Sequence, residues 1–181
     1  MKKLSLLFIA LCLFIGFTSN DVFAKAIGIK AGYTMPKDDF DDYEEDWAFG
    51  VYFDMGTFLI NNLDFRPSID YIELEGDDLH PGKYGPHDVW GIHIDWYWHF
   101  LDKGTFAPFI GFGPALNYLD YDDDDTHDED SDAGVDIFLG LDLKISSTPL
   151  SLMIEGRYKF FDIASRDDTA VQVNLGLGYN F

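Results

Sequence analysis

The chain has 181 residues, 47% hydrophobic, 17% aromatic and 25% charged, with 33 acids against 12 bases for a net charge of −21. That length fits one domain, and the acidity excludes nucleic acid as a partner, because a polyanion repels the phosphate backbone that supplies most of such affinity. Disorder is excluded too: 17 Phe, 10 Tyr and 4 Trp can bury far more apolar surface than a disordered polyelectrolyte, so acid and apolar side chains must be segregated.

Residues 1–24 read as a cleaved secretory signal peptide. Lys2 and Lys3 form a basic start, Leu4 to Phe17 is an apolar run, and Val22-Phe23-Ala24 offers small side chains before a cut. A run of 14 residues is short for a spanning helix, which needs roughly 20. Cys12 lies inside that run behind Leu11, without the small preceding residue that a lipoprotein signal uses, so the mature chain is expected to begin near Lys25 with no thiol chemistry. Residues 25–181 then form one domain. Its longest uncharged stretch, Thr105 to Leu119, is broken by Pro108, Gly111, Gly113 and Pro114, which excludes a membrane helix.

Period two dominates the rest. Trp90, Ile92, Ile94, Trp96, Trp98 and Phe100 alternate with Gly91, His93, Asp95, Tyr97 and His99; Val171, Val173, Leu175, Leu177, Tyr179 and Phe181 alternate with Gln172, Asn174, Gly176, Gly178 and Asn180. The same test predicts eight strands near 26–35, 47–55, 63–72, 88–100, 106–118, 133–144, 150–160 and 169–181, each about the 9–11 residues that a tilted membrane strand requires. Long polar connections at 36–46, 73–87, 119–132 and 161–168 alternate with shorter ones at 56–62, 101–105 and 145–149. This is the outline of an all-β, eight-stranded antiparallel up-and-down barrel.

Composition assigns the faces. Gly28, Gly32, Gly50, Gly91, Gly111, Gly113, Gly134, Gly140, Gly176 and Gly178 all fall on the polar face. Exposed mid-strand glycine packs nothing, whereas inside a narrow barrel it makes room for large neighbours, so the polar face is predicted to point inward. The lumen then holds seven acids (Asp54, Asp64, Asp70, Asp95, Asp136, Asp142, Glu155), five bases (Lys30, Arg66, Lys144, Arg157, Lys159), His93 and His99. Charges away from bulk water persist when paired, which predicts an interior salt-bridge network. Trp47, Trp90, Trp96, Trp98 and Phe100, with Tyr33, Tyr71, Tyr118, Tyr158 and Tyr179, occupy the other face near strand ends, where bilayer interfaces select amphipathic rings.

On these features the chain resembles the small eight-stranded outer-membrane barrels of Gram-negative bacteria, the OmpA/OmpX/OmpW-like group. The most specific parts are the strand Phe106-Ala107-Pro108-Phe109-Ile110-Gly111-Phe112-Gly113-Pro114 and the ending Tyr179-Asn180-Phe181. The resemblance implies a transmembrane barrel in the bacterial outer membrane, porin-like in architecture, with both termini in the periplasm. Its partners are then outer-membrane lipid and lipopolysaccharide. It also implies recognition by the barrel-assembly machinery through the C-terminal strand, Val173 to Phe181. Pro108 and Pro114 each delete a ladder donor, so bulges or local breaks are expected there.

Two connections are very acidic: Lys37 to Asp46 holds seven acids and Asp120 to Asp132 holds nine. A solvated hydrophilic cap explains them without a ligand; the alternative is divalent-cation binding, which also bridges such loops to lipopolysaccharide or serves adhesion. Asp120, Asp122 and Asp124 have the opening spacing of a calcium loop, but Asp125 at the sixth and Ser131 at the twelfth position break that pattern. His80, His87 and His127 are not brought together by sequence, so no metal ligand is assigned. No catalytic or cofactor-binding residue is assigned either: none of Ser68, Ser131, Ser146, Ser147, Ser151 and Ser165 sits in a His-x-Ser arrangement, and no phosphate-binding glycine loop or HExxH helix occurs. A non-enzymatic structural or surface-interaction role is expected. The alternative is a narrow channel or lateral-diffusion transporter for small or hydrophobic molecules, motivated by the inward glycines.

Overall fold

The computed structural model describes residues 25–38, 46–57, 61–74, 87–101, 104–121, 129–161 and 168–181. The expected signal peptide lies outside the described residues, as do 39–45, 75–86, 122–128 and 162–167. Eight strands follow in order: β1 Ala26–Asp38, β2 Asp46–Asp54, β3 Leu63–Leu74, β4 His87–His99, β5 Phe106–Tyr121, β6 Glu129–Lys144, β7 Leu150–Phe160 and β8 Asp168–Asn180. Each pairs antiparallel with the next, and β1 closes the sheet against β8 from Ala26↔Asn180 to Asp38↔Asp168. Closure leaves no strand edge with unpaired amides, the condition for crossing lipid without helices.

Lys25 and Phe181 meet at one end, where the Phe181 N–H donates to the Lys25 carbonyl at 3.0 Å. We call this end proximal; the short β2–β3, β4–β5 and β6–β7 connections share it, and the other four open at the distal end. Gly56, at φ 74°, turns the chain out of β2 while its N–H donates to Asp54 Oδ1.

One detail departs from the sequence expectation and another meets it in part. β5 and β6 run to 16 residues each, so the connection expected over 119–132 narrows to 122–128. Their ladder continues through Leu119↔Asp130 and Asp120↔Glu129, because backbone pairing does not require apolar side chains. Of the bulges or local breaks expected at the prolines, a local break is found at Pro114 and none at Pro108 in the β5–β6 ladder. Pro108 keeps its place opposite Leu141, and its carbonyl accepts from the Phe100 N–H at 3.1 Å. At Pro114 the β4–β5 ladder lapses between His93↔Ala115 and Trp96↔Phe112, then resumes in the same register. One missing donor removes a rung there without shifting the strand.

The wall is sided as expected. Ile29, Leu139 and Leu175 are 62–65% exposed at mid-wall, outside the barrel where hydrocarbon lies. Aromatic pairs mark the two rims: Tyr33–Trp47 and Tyr71–Trp90 distally, Phe65–Trp96, Trp96–Phe112 and Tyr179–Phe181 proximally, with centroids 4.9–6.0 Å apart. All ten glycines of the polar row face the lumen as buried or half-buried residues; at nine of them a Cβ would come within 3.0 Å of a neighbour's atom, and at Gly176 it would stand 3.0 Å from the Met153 side chain. At Gly113, for instance, a Cβ would stand 2.5 Å from the Ile94 carbonyl oxygen. The glycines therefore accommodate packed neighbours rather than line an open bore.

Candidate functional site

The lumen is the part of the molecule where chemistry-bearing residues converge, and single strands display its tiers. Read from the proximal end, the inward row of β7 is Met153, Glu155, Arg157 and Lys159, continued by Phe161 just past the strand; β3 gives Asp64, Arg66, Ser68, Asp70 and Ile72. In β4, read distally to proximally, the row is Val89, Gly91, His93, Asp95, Tyr97 and His99. The lumen thus has an apolar distal stopper, a central ionic tier, an aromatic tier and a proximal ionic tier.

Arg157 is the hub of the central tier. Its Nε donates to Glu155 at 2.9 Å, one terminal nitrogen to Asp136 at 2.7 Å, and the other to Asp95 at 2.6 Å and to the Tyr97 hydroxyl at 3.2 Å. A guanidinium suits this place because its donors are fixed in a planar fork. Asp70 is held by Lys30 at 2.8 Å and Lys159 at 3.5 Å; Asn174 and the Tyr97 hydroxyl complete Glu155 at 2.9 and 2.7 Å. His93, fully buried, has Nδ1 at 2.8 Å from Asp136 and Nε2 at 3.4 Å from Asp70, without hydrogen-bond alignment.

In the proximal tier Arg66 binds Asp142 at 2.5 Å and Asp54 at 3.0 Å, while His99 stands 3.1 Å from Asp142 and 3.4 Å from Asp64. Tyr52, Tyr97, Phe109, Phe138 and Met153 fill the layer between. The rings serve the cations on both sides: Arg66 lies 4.3 Å from the Tyr97 centroid and Arg157 4.4 Å from that of Phe138.

The expected salt-bridge network is therefore present, with one correction. Lys144 shares the inward parity but is exposed at the proximal end of β6, outside the network, because the barrel wall ends there. Sequence reasoning also missed the apolar tiers, since it treated the inward row as uniformly polar.

Three groupings with chemical potential lie in the central tier. His93, Asp95 and Asp136 offer ligand atoms within 4.8 Å of one another, a spacing that a metal ion can use. The Arg157 guanidinium already donates to both carboxylates and stands where such a cation would be needed. Ser68 faces His93 directly across β3 and β4, a proximity invisible without the hairpin register. Both imidazole nitrogens of His93 nevertheless face carboxylates, and Ser68 Oγ accepts from Lys30 Nζ at 3.2 Å, so no base is aligned on the hydroxyl. Asp95 and Asp136 are both bound by Arg157, which ties them into an ion pair rather than leaving a general acid and base. His80, His127 and most of the acidic connections lie outside the described residues.

Several solved structures share the architecture. Neisserial surface protein A aligns at 12% identity over 86% of this chain and 96% of its own, with a TM-score of 0.69. Ail, the attachment invasion locus protein of Yersinia pestis, aligns at 14% identity over 86% and 97%, with a TM-score of 0.58. The outer membrane enzyme PagL aligns at 12% over 86% and 99%, with a TM-score of 0.53. At such identities the likeness is one of fold. Comparison with curated protein sequences returned no match. The family described as outer membrane protein beta-barrel domain matches residues 6–181. With almost the whole chain matched and the closed eight-stranded wall in place, the chain belongs to that family, and its location is the bacterial outer membrane.

Proposed function

We propose that this protein is a closed, non-conducting and non-enzymatic surface barrel, whose interactions are made by its distal rim. The observation that carries this reading is the tiered lumen. A solute entering from either end meets an ion-paired tier, an aromatic layer and the apolar stopper of Ala48, Ile72, Val89, Phe161 and Ala170. Eight strands leave a narrow interior, and here packed tiers of side chains cross it. The inward glycines, which motivated a channel, are occupied by neighbouring atoms and lend conduction no support.

PagL is an enzyme, so catalysis deserves a comparison at the level of residues. His93 and His99 are buried in the lumen, where lipid has no access. The rim chemistry also bears on partners. The connections 36–46, 73–87, 119–132 and 161–168 hold 23 acids and three bases, Lys37, Lys83 and Arg166. Ail has been crystallised with the heparin analogue sucrose octasulfate. A rim this acidic repels such a polyanion and favours divalent cations, through which it would bridge to the phosphates of lipopolysaccharide. Planar-bilayer recording and liposome swelling test the sealed lumen: silence is expected, and stepwise conductance would overturn it. Turnover of purified lipid A would overturn the non-enzymatic part.

A further inference from the structure

Thr34 of β1 and Gln172 of β8 are cross-strand partners whose side chains both turn into the lumen, each 1% exposed. The Thr34 hydroxyl and both ends of the Gln172 amide have no hydrogen-bond partner among the described residues. An unpaired buried amide is costly, and native proteins answer that cost with a partner or an ordered water making two to four bonds. The surroundings are polar on one side and small on others. Gln172 lies opposite Arg157, and Lys159 is the next inward residue of β7; Ala48, Ala115 and Gly134 are inward residues on β2, β5 and β6. The distal side is closed by Phe161, which sits beyond the end of β7, is only 3% exposed, and whose ring lies 6.0 Å from Lys159 Nζ.

We propose that Thr34 and Gln172 border a blind internal water site in the distal lumen, and that the Phe161 ring is the stopper separating this water from the outside. The donors and acceptors suit water: a hydroxyl, a carboxamide with both functions free, and an ammonium nearby. Phe161 suits the stopper role because it packs in the apolar cluster with Ile72, Val89, Ala48 and Ala170, at the margin of a connection rather than within the ladder. The closed-lumen reading stands apart from this proposal, since the aromatic and proximal tiers still block the bore when the stopper is removed.

The mature region has no cysteine, so a single thiol reports cleanly. Thr34→Cys is placed in the full-length barrel, folded in vesicles, and exposed to a small water-soluble methanethiosulfonate, with and without Phe161→Ala. Slow modification is expected with Phe161 present, and a rate about tenfold or more higher without it, the factor set by loss of the ring's burial. Equal rates in the two backgrounds, or no modification in either, would overturn the proposal. A heat-dependent gel shift checks folding of each variant, and Phe161→Leu replaces Phe161→Ala if the latter does not fold. A crystal structure supplies the second readout: an ordered water on the Gln172 amide is expected, whereas a protein side chain seated on that amide refutes the site. Planar-bilayer silence of Phe161→Ala keeps this result separate from the closed-lumen test.

Discussion

Replacing Arg157 is the sharpest test of what holds the lumen together. In Arg157→Leu the side chain keeps roughly its bulk, but Asp95, Asp136 and Glu155 lose the guanidinium that binds all three at 2.6–2.9 Å. Removing one partner of a buried pair costs about 3–5 kcal/mol, because the other charge remains in low dielectric without compensation. Three carboxylates are stranded here, and Lys30, Lys159 and His93 are already engaged with Asp70 or Asp136, so the upper part of that range is expected. With a urea dependence of about 1–3 kcal/mol/M, the unfolding midpoint should fall by roughly 1–5 M. The assay is reversible urea titration in lipid vesicles, followed by fluorescence of the outward tryptophans and by gel mobility. Arg157→Lys keeps the charge and loses the fork, so a smaller loss of about 1–3 kcal/mol is expected. Arg157→Leu with Asp95→Asn should recover part of the loss, with a coupling above about 1 kcal/mol. A midpoint for Arg157→Leu within error of the parent would refute the argument, as would a double variant that is merely additive.

Glycine packing makes a paired prediction in the same assay. A Cβ at Gly111 would run into the Phe138 ring and the Trp96 carbonyl, so Gly111→Ala should cost about 1–3 kcal/mol; at outward Gly156 nothing lies within 4 Å, and Gly156→Ala should gain about 0.5–1 kcal/mol. Equal effects at the two positions would sink the inward assignment. Tyr97→Phe removes a hydroxyl bonded to Glu155 and Arg157 and should cost about 1.5–3 kcal/mol, while leaving the aromatic tier's near-ultraviolet circular dichroism intact. Chelation with EDTA should leave the unfolding midpoint of the barrel unchanged, because Arg157 neutralises Asp95 and Asp136 from within; a midpoint that falls on chelation and returns with added cation would contradict this.

Much of this molecule is legible in its sequence, because period two is imposed by the bilayer on every strand. β7 is found at its expected bounds, and the others shift by only a few residues at their ends. Glycine gave the sidedness: Gly111, Gly113 and Gly140 mark the inward parity of β5 and β6. The same rows carry Phe109 and Phe138, large apolar residues on the glycine parity, and that was the available signal for the aromatic tier. It is easily overlooked because hydropathy alone cannot distinguish a ring packed in the lumen from one facing lipid. The extent of the wall is not legible, so parity alone assigns Lys144 to the lumen and hydropathy ends β5 and begins β6 short of their ladders. Nor was the Ser68–His93 pairing, since it depends on register across a hairpin rather than on any spacing along the chain.

The ionic interior also answers a problem that an apolar one would leave open. Were both faces of each strand apolar, a one-residue slip in any hairpin would exchange the lumen and lipid faces at little cost. Here the same slip would carry Lys30 from β1, Arg66 and Asp70 from β3, or Arg157 and Lys159 from β7 into hydrocarbon, at about 2–4 kcal/mol for each cation near the midplane. It would also strand the partners left behind, which the hub geometry of Arg157 makes more severe because three carboxylates depend on it. Ile72, Val89, Phe109 and Phe138 cannot supply that discrimination, since either face accepts them; their contribution is to exclude water. On this reasoning the salt bridges fix the register of the wall and the apolar tiers close its bore, so a redesign that replaced all the interior ions by fitting aliphatic residues would retain closure and lose uniqueness of pairing.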